Sequence, residues 1–212
     1  MQYASMPEQL VERLRNDIVS GRLAPGEPLR QDEIARSLGV SHVPIRETFL
    51  KLQAEGLVEI RPRRGAIVSE LSAAEIEELN EMRTALECLA LRKAIPNVTD
   101  ADLRKAENLL DVIDRKPERW VELNAAFHSI IYGPAARPRL LNEILSLQRN
   151  VERYVHREVE VTNNLADSQR EHRRLLALIE RGKTEEACSL LSAHILEPGR
   201  ILVSELRRTG HA

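Results

Sequence analysis

Leu38-Gly39-Val40-Ser41-His42-Val43-Pro44-Ile45-Arg46-Glu47 decides the fold of this chain. Before it, Ile34, Ala35 and Leu38 line one side of a short helical pattern, and Gly39 suits the left-handed residue that closes such a helix. Ser41 stands where a cap for the next helix is wanted, and Ile45, Phe49 and Leu52 recur behind it at helical spacing. The opposite face carries His42, Val43 and Arg46 near the helix start, the end that recognition helices push into the major groove. Gly56 stops the helix, and Leu57-Val58-Glu59-Ile60 and Ala66-Ile67-Val68 are β-prone runs around Arg61-Pro62-Arg63-Arg64-Gly65. That predicts a hairpin with a phosphate-seeking basic tip. Two helices, a tight turn and a basic hairpin make a winged helix-turn-helix, with the helix-turn-helix over about 31–50 and the wing over 57–68, and imply a duplex DNA partner. Surface arginines on an unrelated helical core would account for any one of these charges, but not for their order.

Working outward, Ser5-Met6-Pro7-Glu8 reads as a capping box opening a supporting helix with Leu10, Val11, Leu14 and Ile18 on its apolar face, ended by Gly21. Pro25, Gly26 and Pro28 read as the turn into the helix-turn-helix. The first domain is therefore expected over residues 1–70. Ser72 and Glu75 form a second capping-box pattern for a long helix to about Ile95, closed by Pro96. From there the pattern is helical throughout, punctuated by Thr99, Pro117, Pro134, Pro138 and Arg181-Gly182-Lys183-Thr184, with Pro198 expected to kink or end the last helix. No strand pattern of useful length follows Val68. The expected fold is mostly α: a winged helix-turn-helix with a small β-hairpin wing, then an antiparallel all-α bundle of six or so helices over 71–212.

Composition narrows the partners. The 212 residues carry 42% hydrophobic content, enough for a core in each of two modest domains. No run has the length of a membrane span, and the N-terminal stretch is amphipathic with scattered charge, so neither a membrane nor a secretory leader is expected and the cytoplasm is the expected location. Cys88 and Cys188 sit in helical patterns and read as buried thiols. The formal charge of −2 splits into roughly +1 for residues 1–69 and −3 for the remainder, so DNA affinity depends on where Arg46, Arg61, Arg63 and Arg64 stand. A single copy would bind modestly, and a homodimer on a palindromic operator is expected.

The bundle holds the second informative pattern. His128 lies beside Asn124, Phe127 and Ile131, His172 in register with Leu165, Leu176 and Ile179, and His194 with Ala187, Leu190 and Leu191. One histidine on a core face is usually a hydrogen-bonded structural residue; three on three helices of one bundle point to a metal. Asn124 and His128 at i, i+4 add an oxygen and a nitrogen donor on one face. Arg83, in line with Ile76, Leu79, Leu86 and Ala90, points inward and needs an anion, either Glu87 at i+4 or a ligand.

The run Leu-Gly-Val-Ser, Pro-Ile-Arg-Glu, Glu-Gly-Leu-Val and a basic turn into Gly-Ala-Ile-Val resembles the GntR family of bacterial transcriptional regulators. Asn124-x-x-Phe127-His128 and Glu171-His172, with the order of helices, resemble the FCD ligand-sensing domain of its FadR subfamily. The resemblance implies a regulator, not an enzyme, whose DNA contacts come from Arg30, Ser41, His42, Val43, Arg46, Arg63, Arg64 and Gly65. It implies a divalent metal, Zn²⁺ with Ni²⁺ or Mn²⁺ as alternatives, held by Asn124, His128, His172 and His194, and a small organic acid effector meeting Arg83. The chain departs from the family pattern at three positions. Asn124 stands where Asp is common, His42 where Arg is usual, and Asp32 where many members have another Arg. A regulator or interaction protein with a vestigial, metal-free pocket is the alternative. A metalloenzyme is the more distant one, since no carboxylate accompanies the histidines at a catalytic spacing.

Overall fold

The computed structural model describes residues 6–61, 65–70, 72–162 and 165–208, so Ser5, Arg63 and Arg64 lie outside the described residues. The chain divides into two compact units, Met1–Leu71 and Ser72–Ala212.

In the first unit, α1 (Met6–Val19) is followed by β1 (Pro28–Leu29), α2 (Gln31–Leu38), α3 (His42–Ala54), β2 (Val58–Arg61) and β3 (Gly65–Val68). Leu10, Val11, Leu14 and Ile18 of α1 are buried with Ile45, Phe49 and Leu52 of α3, as their helical spacing requires. Each such side chain contributes roughly 1.5–3 kcal/mol of burial. Gly39 closes α2 at φ 64°, ψ 30°, and the Val40 N–H returns to the Ala35 carbonyl at 3.1 Å. That left-handed residue turns the chain sharply enough for α3 to start three residues later.

Two local expectations change. Pro28 and Leu29 belong to a strand, not only a turn: they pair with Ile67 and Ala66, and the sheet has the antiparallel order β1-β3-β2. An edge strand tolerates the missing proline N–H, and Leu29 is buried there. Ser41 occupies the cap position of α3 with extended backbone, but its hydroxyl makes no capping bond. The start of α3 is tied to α2 instead, through Gln31 Nε2 donating to the His42 carbonyl at 2.7 Å.

The second unit contains α4 (Ala73–Ala94), α5 (Asp100–Arg115), α6 (Trp120–Tyr132), α7 (Pro138–Thr162), α8 (Leu165–Glu180) and α9 (Thr184–Arg208). Ser72 caps α4 by accepting from the Glu75 N–H, while the Glu75 carboxylate accepts from the Tyr154 hydroxyl. Thr99 and Asp102 complete a reciprocal capping box on α5. Helix α4 packs along α9 and α7, α5 against α6 and α8, and α8 against α9. Leu91, Leu110, Phe127, Tyr132, Leu175 and Leu191 lie at the centre. Cys88 and Cys188 are free and buried where α4 meets α9, each thiol pointing at the other's carbonyl, and burial pushes the Cys188 thiol up to about 11.

Pro198 does not end α9, which runs on to Arg208. The proline forfeits the bond to the residue 194 carbonyl, but packing carries the helix past it. A Cβ on Gly199 would meet the side-chain amide of Asn80 on α4, which would have to move aside, and Leu202, Val203 and Leu206 are buried beyond it.

Candidate functional site

Helices α6, α8 and α9 bring His128, His172 and His194 together, with one ring nitrogen from each lying within 4.8 Å of the others. His128 and His172 are fully enclosed, and Asn124, one turn before His128, buries its side-chain oxygen without a partner. The proton on each ring can be traced through its neighbours. Gln169 Nε2 donates to the Leu110 carbonyl and to Asp114, which fixes the amide so that its oxygen faces His172 Nδ1 at 3.0 Å. His172 Nδ1 therefore carries hydrogen and Nε2 is a bare lone pair. His194 Nδ1 lies 2.7 Å from Glu171 Oε2, so this nitrogen also carries hydrogen, and in the neutral ring Nε2 is a lone pair. Tyr132 donates its hydroxyl hydrogen to Glu87 at 2.7 Å, so its oxygen accepts from His128 Nδ1 at 3.1 Å, and His128 Nε2 is left without a partner.

Three Nε2 lone pairs thus converge. Those of His172 and His194 stand 3.1 Å apart. Two acceptors at that distance repel unless a hydrogen or a metal cation lies between them, and two nitrogens each ~2.0–2.1 Å from a tetrahedral Zn²⁺ are themselves separated by about 3.4 Å. Burial, then the neighbouring imidazoles, hold His128 and His172 well below the ordinary imidazole range, which keeps both neutral as ligands. The donor set fits a divalent metal: three converging imidazole nitrogens, the orphaned Asn124 oxygen, and a hydrogen-bonded orienter behind each ring.

Arg83 finds its anion within the fold. Its Nε donates to Glu87 Oε1 at 2.9 Å, and Nη1 reaches Asn80 at 3.4 Å. The i+4 pair weighed in the sequence is therefore formed, and it does more than neutralise charge. Fully buried Glu87 links Arg83 through Tyr132 to His128. Burial, followed by the Glu87 charge, holds the Tyr132 hydroxyl well above its ordinary range, so it keeps its proton for that link. Gln169 and Tyr132 were not singled out in the sequence. Their signal is spacing: Gln169 precedes His172 by three residues and Tyr132 follows His128 by four, which places each on the ring's own helix face. Trp120, one turn before Asn124, is also buried, with its ring stacked on His172 at 6.5 Å and its N–H unpartnered.

In the first unit, His42 and Val43 open α3, and Val43 is 65% exposed although apolar. Arg46 follows one turn later, exposed and without a carboxylate partner among the described residues. Arg30 pairs with Glu33 at 3.0 Å, and Asp32 lies 3.3 Å from His42. Arg61 is paired along its own strand with both oxygens of Glu59 in an exposed ion pair. Gly65 starts β3 opposite Arg61. Arg30, Gln31, Asp32, Arg46, Leu50 and Gly65 line one open groove between α2, α3 and the sheet.

Residues 7–68 match the family described as bacterial regulatory proteins, gntR family, and residues 78–197 match the FCD domain. The chain is 34% identical over 151 residues to the HTH-type transcriptional repressor RspR of Escherichia coli K12, a match that covers 69% of this chain and 66% of that protein. It is 27% identical over 204 residues to the HTH-type transcriptional regulator McbR of the same strain, covering 93% and 92% of the two. The solved structure of E. coli McbR superposes with a TM-score of 0.79 at 25% identity, covering 96% of this chain and 99% of that one. A GntR regulator from Rhodococcus sp. RHA1 superposes with a TM-score of 0.78, also at 25% identity, covering 95% and 99%. The domains and relatives identify a regulator and not an enzyme, and among the described residues no helix is long and apolar enough to cross a membrane. The chain belongs to the GntR family of bacterial transcriptional regulators, a DNA-binding winged helix-turn-helix joined to an FCD domain.

Proposed function

We propose that this regulator, of the FadR subfamily and acting as a cytoplasmic homodimer on a palindromic operator, carries a divalent metal in its helical domain and responds there to a small organic acid. The observation that carries the reading is the convergence of three bare Nε2 atoms with the buried Asn124 oxygen. His128, His172, His194 and Asn124 would hold the metal, Zn²⁺ by preference, with Ni²⁺ and Mn²⁺ as further candidates. The metal when bound supplies a Lewis-acidic position for a carboxylate. The protein's own groups do the rest: Gln169, Glu171 and Tyr132 aim the rings, and Arg83, whose Nη2 takes part in no hydrogen bond among the described residues, offers that carboxylate a second cation.

On the DNA side, Ser41, His42, Val43 and Arg46 at the start of α3 would face the major groove, with Arg30, Gly65 and the wing arginines Arg63 and Arg64 on phosphates. An acid that binds one state of the helical domain better shifts operator affinity by that difference. The test has two stages. Metal content of the purified protein, and of His172→Ala, establishes the centre. Operator binding is then titrated with a panel of carboxylic acids in wild type and Arg83→Ala. An acid that changes wild-type affinity and loses its effect in the variant supports sensing. A metal-free protein that no acid affects supports a vestigial pocket.

A further inference from the structure

We propose that Asp114, on a helix that supplies no ligand, sets through Gln169 which nitrogen of His172 faces the cluster, and so acts as a positioning residue for the metal centre; the inference rests on the metal reading above. The contacts run in one line from the surface to the ring. Asp114 of α5 has a side chain 47% exposed, and its carboxylate accepts from Arg173 of α8 and, at 2.8 Å, from Gln169 Nε2. Gln169 is buried, donates also to the Leu110 carbonyl at 3.2 Å, and turns its oxygen to His172 Nδ1 at 3.0 Å.

What Asp114 opposes is the reverse of this arrangement. A glutamine amide can turn over, exchanging its oxygen and nitrogen with little change of shape. Turned over, Gln169 would donate to His172 Nδ1, and the neutral ring would carry its hydrogen on Nε2, the atom a metal needs bare. The rings themselves do not resist that state, because a hydrogen on His172 Nε2 meets the His194 Nε2 at 3.1 Å. The resistance comes from α5. The turned-over oxygen would face the Leu110 carbonyl and the Asp114 carboxylate, both of which offer lone pairs only. Asp114 is the nearer of the two and the charged one, its carboxyl held below the ordinary range first by the Gln169 hydrogen bond and then by Arg173. A doubly protonated His172 is no escape: the ring is fully buried, and the group facing Nδ1 is a neutral amide oxygen.

Asp111 supplies the control. It lies three residues back on α5, is half exposed and accepts from the same Arg173 at 3.2 Å, but makes no hydrogen bond to Gln169 among the described residues. Wild type, Asp114→Ala and Asp111→Ala are compared in the full chain, with thermal melting to confirm that the fold is kept. Long-range proton–nitrogen NMR correlations of the metal-free protein, with His172→Ala identifying the ring, are expected to place the His172 hydrogen on Nδ1 in wild type and Asp111→Ala, and to show the Nε2 form in Asp114→Ala. Zn²⁺ affinity in a competition titration is expected to fall about three- to tenfold in Asp114→Ala, the span of one hydrogen bond, and to stay close to wild type in Asp111→Ala, which loses the same charge. A wild-type hydrogen on Nε2, a tautomer unmoved by Asp114→Ala, or an Asp111→Ala as damaging as Asp114→Ala would each overturn the proposal. If wild type takes up no Zn²⁺, the metal reading fails by itself, and the tautomer comparison alone decides whether Asp114 orients the ring.

Discussion

Replacing Glu87 by Gln tests whether the link from Arg83 to the histidine cluster is a structural support. Glu87 is fully buried, and its two oxygens accept from Arg83 Nε at 2.9 Å and from the Tyr132 hydroxyl at 2.7 Å. The amide keeps the shape and one acceptor but removes the charge, leaving a guanidinium whose side chain is only 11% exposed. Breaking a buried pair from one side costs about 3–5 kcal/mol, and the small access of Arg83 to water places this case near the lower end, about 3 kcal/mol. In a domain of this size each kcal/mol moves the melting temperature by about 3 °C, so the metal-free variant is expected to melt about 10 °C lower by calorimetry. Replacing both members, Arg83→Met with Glu87→Met, removes the unpaired charge and should recover most of that loss, since a buried pair is worth little against apolar residues of similar volume. A drop of less than ~3 °C in Glu87→Gln, or a double variant as unstable as the two singles added together, would refute the electrostatic account.

The metal makes its own signature. Saturating the metal-free protein with Zn²⁺ at about 100 times its dissociation constant should stabilise it by about 2.7 kcal/mol, and His172→Ala should abolish that gain. Gln169→Leu and Glu171→Leu leave every ligand in place but release the hydrogen on Nδ1, and are expected to weaken Zn²⁺ binding by about 10–100-fold in a competition titration. Asn124→Asp adds the missing negative charge and should tighten it; unchanged affinity would remove Asn124 from the ligand set. Gly199→Ala pushes aside the Asn80 amide, which contacts Arg83 Nη1 at 3.4 Å, and is expected to cost about 1 kcal/mol in urea unfolding; a gain of ~1 kcal/mol, the helix propensity of Ala over Gly, would show that Asn80 moves freely. Thr99→Ala should cost about 1 kcal/mol by loss of the cap. The Asp102 carboxyl is held below its ordinary range, first by the Thr99 hydroxyl and then by the Thr99 backbone N–H. Its contribution is therefore present above the unfolded value near ~3.9 and lost as pH falls through the lower folded value, so the variant's stability should fall less steeply on acidification there.

The elements were legible because local chemistry and burial agree. Gly39 adopts the left-handed turn its place between two apolar helices demands, and the helical spacing of Leu10, Leu14, Ile45 and Leu52 is the spacing of the buried face. The strand at Pro28–Leu29 was hidden because two residues carry no alternation, and its existence depends on Ala66 and Ile67, nearly forty positions away. Pro198, expected to kink or end the last helix, does not end it: α9 runs on to Arg208 with Leu202, Val203 and Leu206 buried, long-range packing that no sequence window contains. At the candidate site, the three inward histidines stood out as polar residues on apolar stripes. Glu171 was visible only as part of a motif and Glu87 only as a partner for Arg83; their links to the rings were not, because Glu171 meets a histidine on α9 and Glu87 reaches one on α6 only through Tyr132. Spacing along the chain carries neither relation.

Those hidden carboxylates bear on what the histidine cluster is for. A structural histidine in a core satisfies both nitrogens, and three such residues could have done so by donating to one another. Here the three Nδ1 atoms are engaged by Tyr132, Gln169 and Glu171, each held or charged so that it accepts hydrogen from the ring. The fold has placed its acceptors on the outer nitrogens and turned the inner ones toward a common point, where His172 and His194 face each other at 3.1 Å. Burial opposes a charged His128 or His172, which leaves His194, beside Glu171, as the ring that could supply a hydrogen to this contact in the absence of a metal. A divalent cation serves the same contact and also takes up the orphaned Nε2 of His128 and oxygen of Asn124. Metal binding at this cluster would therefore stabilise the domain, and metal affinity and fold stability should rise and fall together across the orienting variants.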